Sequence, residues 1–256
     1  MLVASWNVNS IRVRLPHVLE WVQDSGPDVL ALQETKTVDE AFPAADLENI
    51  GYHVVLSGQK TYNGVALLSR QPVSDIVTDL QGFSDPQRRL IAATVDGMRI
   101  YNVYVPNGQA VGTEKFDYKL RWLEALDHQL RSELERHDNV LVMGDFNIAP
   151  EDRDVHDPEA WTGQVLVSGP ERERLQSLFG LGFRDTFRLF DQPAASFSWW
   201  DYRAAAFRRN RGLRIDLLLA SESLAATCTR SCIDAGPRAW EKPSDHAPVL
   251  AAFDTG

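Results

Sequence analysis

Isolated carboxylates, amides and one imidazole stand where the hydrophobic runs of this sequence finish. Asn7 follows the run 3–6, Glu34 follows 29–32, and Asp145 with Asn147 follows 140–143. Asp216 lies inside the run 213–219, and Asp245 with His246 precedes 247–250. Groups at the ends of neighbouring strands can converge on one pocket, however far apart they lie in the chain. Any one of them alone reads equally well as a turn former or a satisfied buried polar group. Asp216 resists that reading. A carboxylate flanked by Ile215 and Leu217 is costly to bury unless it is paired, and an imidazole such as His246 would meet the need. Taken together, the seven side chains offer oxygen ligands for a hard divalent cation, a carboxylate able to activate water, and an Asp/His pair. That set suits phosphodiester hydrolysis. Mg2+ neutralises phosphate oxygens, a carboxylate positions or deprotonates water, and imidazolium or amide donors stabilise the charge that develops.

The elements that must carry these residues are legible as hydrophobic patterns. Strands are expected over 2–8 and 28–32, with a short helix between them that begins near Pro16, buries Val18, Leu19 and Val22, and stops at Gly26-Pro27. Strand-rich segments follow over 52–56, 64–68, 90–95 and 99–105, broken by Asn63-Gly64, Asp96-Gly97 and Pro106-Asn107-Gly108. The longest helix is expected from Thr113, its N-cap, to about His137, because Phe116, Leu120, Leu123, Leu126, Leu130 and Leu134 recur every three or four residues. A buried strand over 140–143, a helix over 171–179, and strands within 213–220 and 248–253 complete a second α/β half. No repeat, Gly/Ser linker or low-complexity tract divides the halves, so one domain over 1–256 is expected, with 150–170 as an irregular surface loop.

Composition narrows the function classes. With 256 residues, 44% hydrophobic and 24% charged, the chain can bury a substantial core and wholesale disorder is excluded. No run approaches the ~20 apolar residues that cross a bilayer, and no basic leader precedes an apolar stretch, so a cytoplasmic protein without membrane contact is expected. Cys228 and Cys232 form neither a disulfide framework nor a zinc site and read as idle thiols. The net charge of -10 argues against coating nucleic acid by global attraction. Contact must come from a local patch, and the richest one holds Arg203, Arg208, Arg209, Arg211 and Arg214 with no acidic residue, beside Trp199, Trp200, Tyr202 and Phe207. Such a patch can neutralise phosphates while an aromatic stacks on a base or walls a sugar pocket. The competing reading is a solvated loop whose aromatics tuck into the core.

The motifs Trp6-Asn7-Val8-Asn9-Ser10, Leu32-Gln33-Glu34-Thr35-Lys36, Tyr104-Val105-Pro106-Asn107, Gly144-Asp145-Phe146-Asn147, Arg214-Ile215-Asp216 and Ser244-Asp245-His246 stand in an order that resembles the exonuclease III family of abasic-site endonucleases, over nearly the whole chain. The resemblance implies a DNase I-like four-layer α/β sandwich: two mixed sheets face to face with helices outside, and the active site at one end of the sheets. It implies that Glu34 holds Mg2+, or Mn2+ in its place, with Asn7 and Asp245 close by. Asp145 would activate the attacking water, Asn147 would orient it, and Asp216 would set the orientation and charge of a phosphate-contacting His246. Tyr104 and Asn107 carry over as phosphate or leaving-group contacts. By position, Trp199, Asn210, Arg211, Leu213 and Ile215 would line the pocket for an extruded, baseless sugar, and Lys36, Lys60, Lys115 and Lys119 would touch the DNA backbone. Asn9 departs from relatives that carry aspartate there.

The implied activity is Mg2+-dependent incision of duplex DNA 5′ to abasic sites, accompanied by 3′→5′ exonuclease and 3′-phosphatase action on blocked 3′ ends, by a monomer. The alternative on the same fold is a phosphatase of small phosphate esters, which would have little need for the arginine and tryptophan segment. A catalytically silent binding module is disfavoured because no candidate catalytic position is lost.

Overall fold

Leucine-rich and β-branched runs form twelve strands in the computed structural model, which describes residues 1–254. Strands β1 (Leu2–Asn7), β2 (Val29–Gln33), β3 (His53–Ser57), β4 (Val65–Ser69), β11 (Cys228–Ile233) and β12 (Val249–Phe253) make one sheet, in the order β11-β12-β1-β2-β4-β3. Strands β5 (Val73–Val77), β6 (Leu90–Val95), β7 (Met98–Tyr104), β8 (Val140–Asp145), β9 (Arg184–Asp185) and β10 (Asp216–Ala220) make the other, in the order β5-β6-β7-β8-β10-β9. Each sheet is mixed: β1 runs parallel to β2 and β7 parallel to β8, and the remaining pairs are antiparallel. The helices are α1 (Ile11–Ser25), α2 (Ala44–Glu48), α3 (Glu114–Leu134), α4 (Pro158–Trp161), α5 (Gly169–Gly180) and α6 (Glu222–Ala225).

Three apolar cores produce the layering. Val3, Ala31 and Leu67 of the first sheet meet Ile91, Ile100, Leu141 and Leu218 of the second between the two sheets. The outer face of the first sheet packs Trp6, Leu30 and Leu32 against Val18, Trp21 and Val22 of α1. The outer face of the second packs Tyr101, Val103 and Val142 against Trp122, Leu126 and Leu130 of α3 and Leu175 and Leu178 of α5. The expected four-layer sandwich is therefore observed. Alternating strand residues feed opposite faces, so a sheet covered on both sides needs runs that are apolar throughout.

Several expected boundaries shift for identifiable reasons. Helix α1 begins at Ile11 and contains Pro16, because the i−4 carbonyl that Pro16 cannot bond belongs to exposed Arg12 and is free to meet water. The last sheet strand of the 213–220 run starts only at Asp216. Strands β5 and β11 went unread because neither carries an apolar alternation: β5 is mostly exposed at its sheet edge, and only Ser231 of β11 is buried. The segment 150–170 is not irregular throughout. It holds a 3-10 turn over Asp152–Asp154 and helix α4, and Asp154 is pinned beneath it by Arg214.

The layering brings one end of each sheet to a common rim. Asn7 and Gln33 close β1 and β2 in register, Tyr104 and Asp145 close β7 and β8 in register, and Asp216 opens β10 opposite Asp145. A buried amide bridge ties the two sheets beneath this rim. Asn102 on β7 donates to the carbonyls of Leu32 at 3.1 Å and Ala66 at 2.8 Å, and Gln33 donates to Asn102 Oδ1 at 2.8 Å. Directly before Asp145, Gly144 has φ 153, and a Cβ there would lie 1.9 Å from the carbonyl oxygen of Val103. Only glycine allows β8 this approach to β7.

Candidate active site

Asn7 is the pivot of the rim. Its Nδ2 donates to Glu34 Oε1 and to Asp145 Oδ2, both at 2.9 Å, so one amide from the first sheet aligns a carboxylate from each sheet. Asp145 Oδ1 accepts the backbone N–H of Asn147 at 2.9 Å. His246 donates from Nδ1 to Asp216 at 2.9 and 3.1 Å, and its Nε2 faces Asp145 Oδ2 at 3.7 Å. Ser198, which sequence reasoning missed, accepts the N–H groups of Ile215 and Asp216 on its hydroxyl and so fixes the start of β10. Ser244, the first residue of the Ser244-Asp245-His246 motif, donates to the Asn7 carbonyl and receives the His246 N–H, joining the two ends of the first sheet's rim. An isolated serine such as Ser198 carries no periodic signal that would have singled it out.

Backbone strain gathers here as well. Asn9, Ser10, Glu34, Lys36 and Asn147 all have positive φ, which costs non-glycine residues energy and persists where the surroundings dictate it. Lys36 thereby reaches Glu34 Oε2 at 2.7 Å and also donates to the Asn9 carboxamide. Asn9 donates in turn to Asp245 Oδ1 at 3.0 Å, and Trp199 Nε1 holds Asp245 Oδ2 at 3.0 Å.

The electrostatics follow from burial. Burial pushes Asp145 up to about 7 despite the neighbouring His246, which works the other way. Burial opposes the charged form of His246, but Asp216 and then Asp145 more than offset it and raise the imidazole to about 10. Glu34 is lowered even though burial opposes it, because Lys36 and Asn7 stabilise its charge. Burial, with Glu34 and Asp145 adding to it, raises the Tyr104 phenol well above its ordinary value, so it keeps its proton and remains a donor. The guanidinium of Arg89, a residue not singled out from sequence, lies 4.7 Å from the centre of the Tyr104 ring.

Whether a divalent cation fits can be judged from the donor set. Glu34 and Asp145 each offer a carboxylate oxygen, and these lie within 4.8 Å of each other and of a ring nitrogen of His246, which while charged has no lone pair to give a cation. Four carboxylates, Glu34, Asp145, Asp216 and Asp245, are directly bonded to no cationic group but Lys36 and His246 among the described residues, an excess of negative charge that a hard cation would balance. The residues fit. Asp245 lies outside this group, its oxygens held by Asn9 and Trp199 as those of Asp145 are held by Asn7 and the Asn147 N–H.

Comparison with known proteins now bears on this geometry. The Endonuclease/Exonuclease/phosphatase family matches residues 4–246. Exodeoxyribonuclease III of Haemophilus influenzae is 40% identical over 99% of this chain and 100% of its own length. The chain belongs to the exonuclease III family. It is a hydrolase of the DNA-repair nuclease kind. Exodeoxyribonuclease of Bacillus subtilis is 33% identical over 97% of this chain and 98% of its own. A 3′ phosphatase from Neisseria bound to a product DNA hairpin superposes with a TM-score of 0.97 at 48% identity, covering 99% of both chains. An AP endonuclease from Archaeoglobus fulgidus does so with 0.95 at 40% identity, again over 99% of both.

The basic segment of this exonuclease III relative divides on inspection. Arg208, Arg209 and Arg211 are exposed and have no ion-pair partner among the described residues, whereas Arg203 is paired with Asp201. Arg214 is a correction: it is 1% exposed and bound to Asp154 and Asp185, so it holds the fold and cannot reach a phosphate. Lys119 is a second correction, being fully buried against Glu171. Lys60 and Lys115 are exposed. Leu213 and Ile215 present no open wall. They pack with Ala149, Val155, Leu166 and Val167 beneath the half-buried Trp199. Asn210 accepts from Trp200 Nε1 and donates to the Ala195 carbonyl, closing its own loop. Asn107 is exposed and donates to Asn147 Oδ1 at 3.2 Å.

Neutralising Arg208, Arg209 and Arg211 together is expected to weaken duplex binding uniformly across sequences and to flatten its dependence on salt. Every phosphate that an arginine no longer neutralises takes about 0.9 from the slope of log affinity against log salt. Anisotropy titrations from low to physiological salt would read this, and an unchanged slope would remove the three arginines from the interface.

Proposed function

We propose that this chain is a Mg2+-dependent phosphodiesterase that cleaves duplex DNA 5′ to abasic sites and also acts at 3′ ends as a 3′→5′ exonuclease and 3′-phosphatase. The observation that carries the reading is Asp145: a buried carboxylate whose affinity for a proton lies near neutrality, fixed by Asn7 and the Asn147 N–H and facing the His246 imidazolium. A general base works best when its proton affinity matches the working pH.

The reaction follows from these groups. A water held by Asp145 and the Asn147 carboxamide gives its proton to Asp145 as its oxygen attacks phosphorus. The bond from phosphorus to the 3′ oxygen of the preceding nucleotide breaks, and that oxygen takes a proton from a solvent water, leaving a 3′-hydroxyl and a 5′-deoxyribose phosphate. His246, kept charged by Asp216, donates to a phosphate oxygen, and Tyr104 donates to a phosphate or leaving oxygen. Glu34 and Asn7 would hold the cation beside Asp145, with Asp245 close by, and when bound it supplies Lewis-acid neutralisation of the phosphate charge. Mn2+ satisfies the same oxygen donors.

Abasic selectivity rests on the cost of extrusion, since a nucleotide without a base forfeits less stacking and pairing when it leaves the duplex. Trp199, half-buried and hydrogen-bonded to Asp245, supports this reading as the aromatic wall for such a sugar. The AP endonuclease and 3′ phosphatase relatives support both substrate classes.

The test is product-end analysis of a duplex carrying one tetrahydrofuran residue, with Mg2+ and with EDTA. Incision that leaves a 3′-hydroxyl is expected with the metal and none without it. Binding without cleavage would defeat the assignment, and removal of a 3′-phosphate without incision would leave only the 3′-end activities.

A further inference from the structure

Helix α3 buries an apolar stripe of Phe116, Trp122, Leu123, Leu126 and Leu130, and in the middle of it sits a lysine with no solvent exposure. An ammonium there has lost its water and must be satisfied by protein. Lys119 has three donors, and each has a partner: the carbonyl of Asn147 at 2.6 Å, the carbonyl of Asn107 at 3.2 Å, and Glu171 Oε1 at 2.5 Å. Glu171, equally buried, also receives the N–H groups of Leu166 at 3.0 Å and Ser168 at 3.1 Å and the Ser168 hydroxyl, closing the capping box of α5. Room for the ammonium stem is made at Gly108, where a Cβ would lie 3.1 Å from Lys119 Cδ.

What the lysine grips is the backbone of the two rim amides. Asn147 has φ 51, and its N–H is the one that holds Asp145 Oδ1. Its side chain receives Asn107 and donates to the Val105 carbonyl at 3.0 Å. A single cation in the outer helical layer thus clamps both loops that follow β7 and β8.

We propose that Lys119 is a positioning residue for hydrolysis, holding the Asn107 and Asn147 loops so that the Asn147 amide and Asp145 meet the attacking water in fixed geometry. The inference rests on the proposed role of Asp145 and Asn147 but not on which phosphoester is cut. A leucine would fill the same place in the core; what sets the lysine apart is its ion pair with Glu171 and, for the site, its bonds to the Asn107 and Asn147 carbonyls.

The test compares Lys119→Met with Leu126→Ala. The second variant removes apolar packing from the same helix but none of the hydrogen bonds to the Asn107 and Asn147 carbonyls. Both are measured well below their melting temperatures, on whichever substrate the wild type turns over, abasic duplex or 3′-phosphate, so that failure of one substrate leaves the comparison intact. Lys119→Met is expected to lower kcat at least tenfold with KM within twofold, and Leu126→Ala to lose stability while keeping kcat. Equal loss of kcat in both variants, or wild-type kcat in both, would overturn the proposal. Should Lys119→Met not fold because Glu171 is left uncompensated, Lys119→Met/Glu171→Gln removes both charges and faces the same criterion.

Discussion

Asp145→Asn is expected to lower turnover by about 10^3 to 10^4, the scale of losing a positioned general base, while duplex binding stays within about threefold of wild type. An asparagine keeps the shape, and its oxygen can still accept the Asn147 N–H that Asp145 accepts now at 2.9 Å. It cannot take a proton from water. Its amide would also face the Asn7 amide that now donates to Asp145 at 2.9 Å, so part of the alignment with Glu34 relaxes. Removing one negative charge beside the scissile phosphate favours binding, which offsets that loss in affinity and not in rate. Single-turnover cleavage separates the chemical step from product release, and anisotropy gives the affinity. Retention of more than a tenth of the wild-type rate would take Asp145 out of its role.

The second large effect is carried by Asp216→Asn. Asp216 bonds His246 Nδ1 at 2.9 and 3.1 Å and is the foremost cause that the imidazole rises to about 10 despite its burial. Without the carboxylate, the imidazolium has lost its main support and burial prevails. A rate loss of about 10^2 to 10^4 at neutral pH is expected. The pH profile distinguishes this cause from a loss of fold. In the wild type the rate needs Asp145 ionised and His246 charged, so it climbs as pH rises towards about 7 and declines as pH passes about 10. A cation bound beside Asp145 moves the acid limb lower, because it favours the ionised carboxyl, and for the same reason cation affinity falls as pH drops below that range. In Asp216→Asn the alkaline limb moves towards acid by the loss of the main support of His246, and the acid limb moves less, through the smaller contribution of Asp216 to Asp145. A variant profile of unchanged shape would refute the pairing. Linkage to stability has the same sign for the histidine. A raised imidazole contributes stability that is complete below its ordinary value of 6.5 and is lost as pH rises through about 10.

Much of the scaffold was legible because strands covered on both faces must be apolar throughout, and such runs end visibly. The buried strands β1, β2, β4, β6, β7 and β8 were anticipated within two residues at each end. Of the edge strands, β3 was anticipated within one residue because Val54, Val55 and Leu56 are apolar, whereas β5 was not, since its side chains meet water. The site residues were legible for the complementary reason. A carboxylate such as Asp216 inside a leucine run is expensive unless something binds it, and His246 does. Lys119 and Arg214 misled because a charged side chain in sequence looks solvated, and nothing local reveals that a carboxylate far along the chain will neutralise it. Glu171 is 52 positions from Lys119, and Asp154 is 60 from Arg214.

Chain order therefore determined which side chains were out of place in a hydrophobic run, and with them the kind of chemistry and two α/β halves, while the sandwich came from the family resemblance of the motifs. Only the tertiary structure decided which carboxylates share an amide, which cations face outward and which are internal struts. The physical reason is range. Hydrophobic periodicity is written within a few neighbouring residues, whereas a buried charge is settled by partners that the folding of two sheets brings within 3 Å from opposite ends of the molecule.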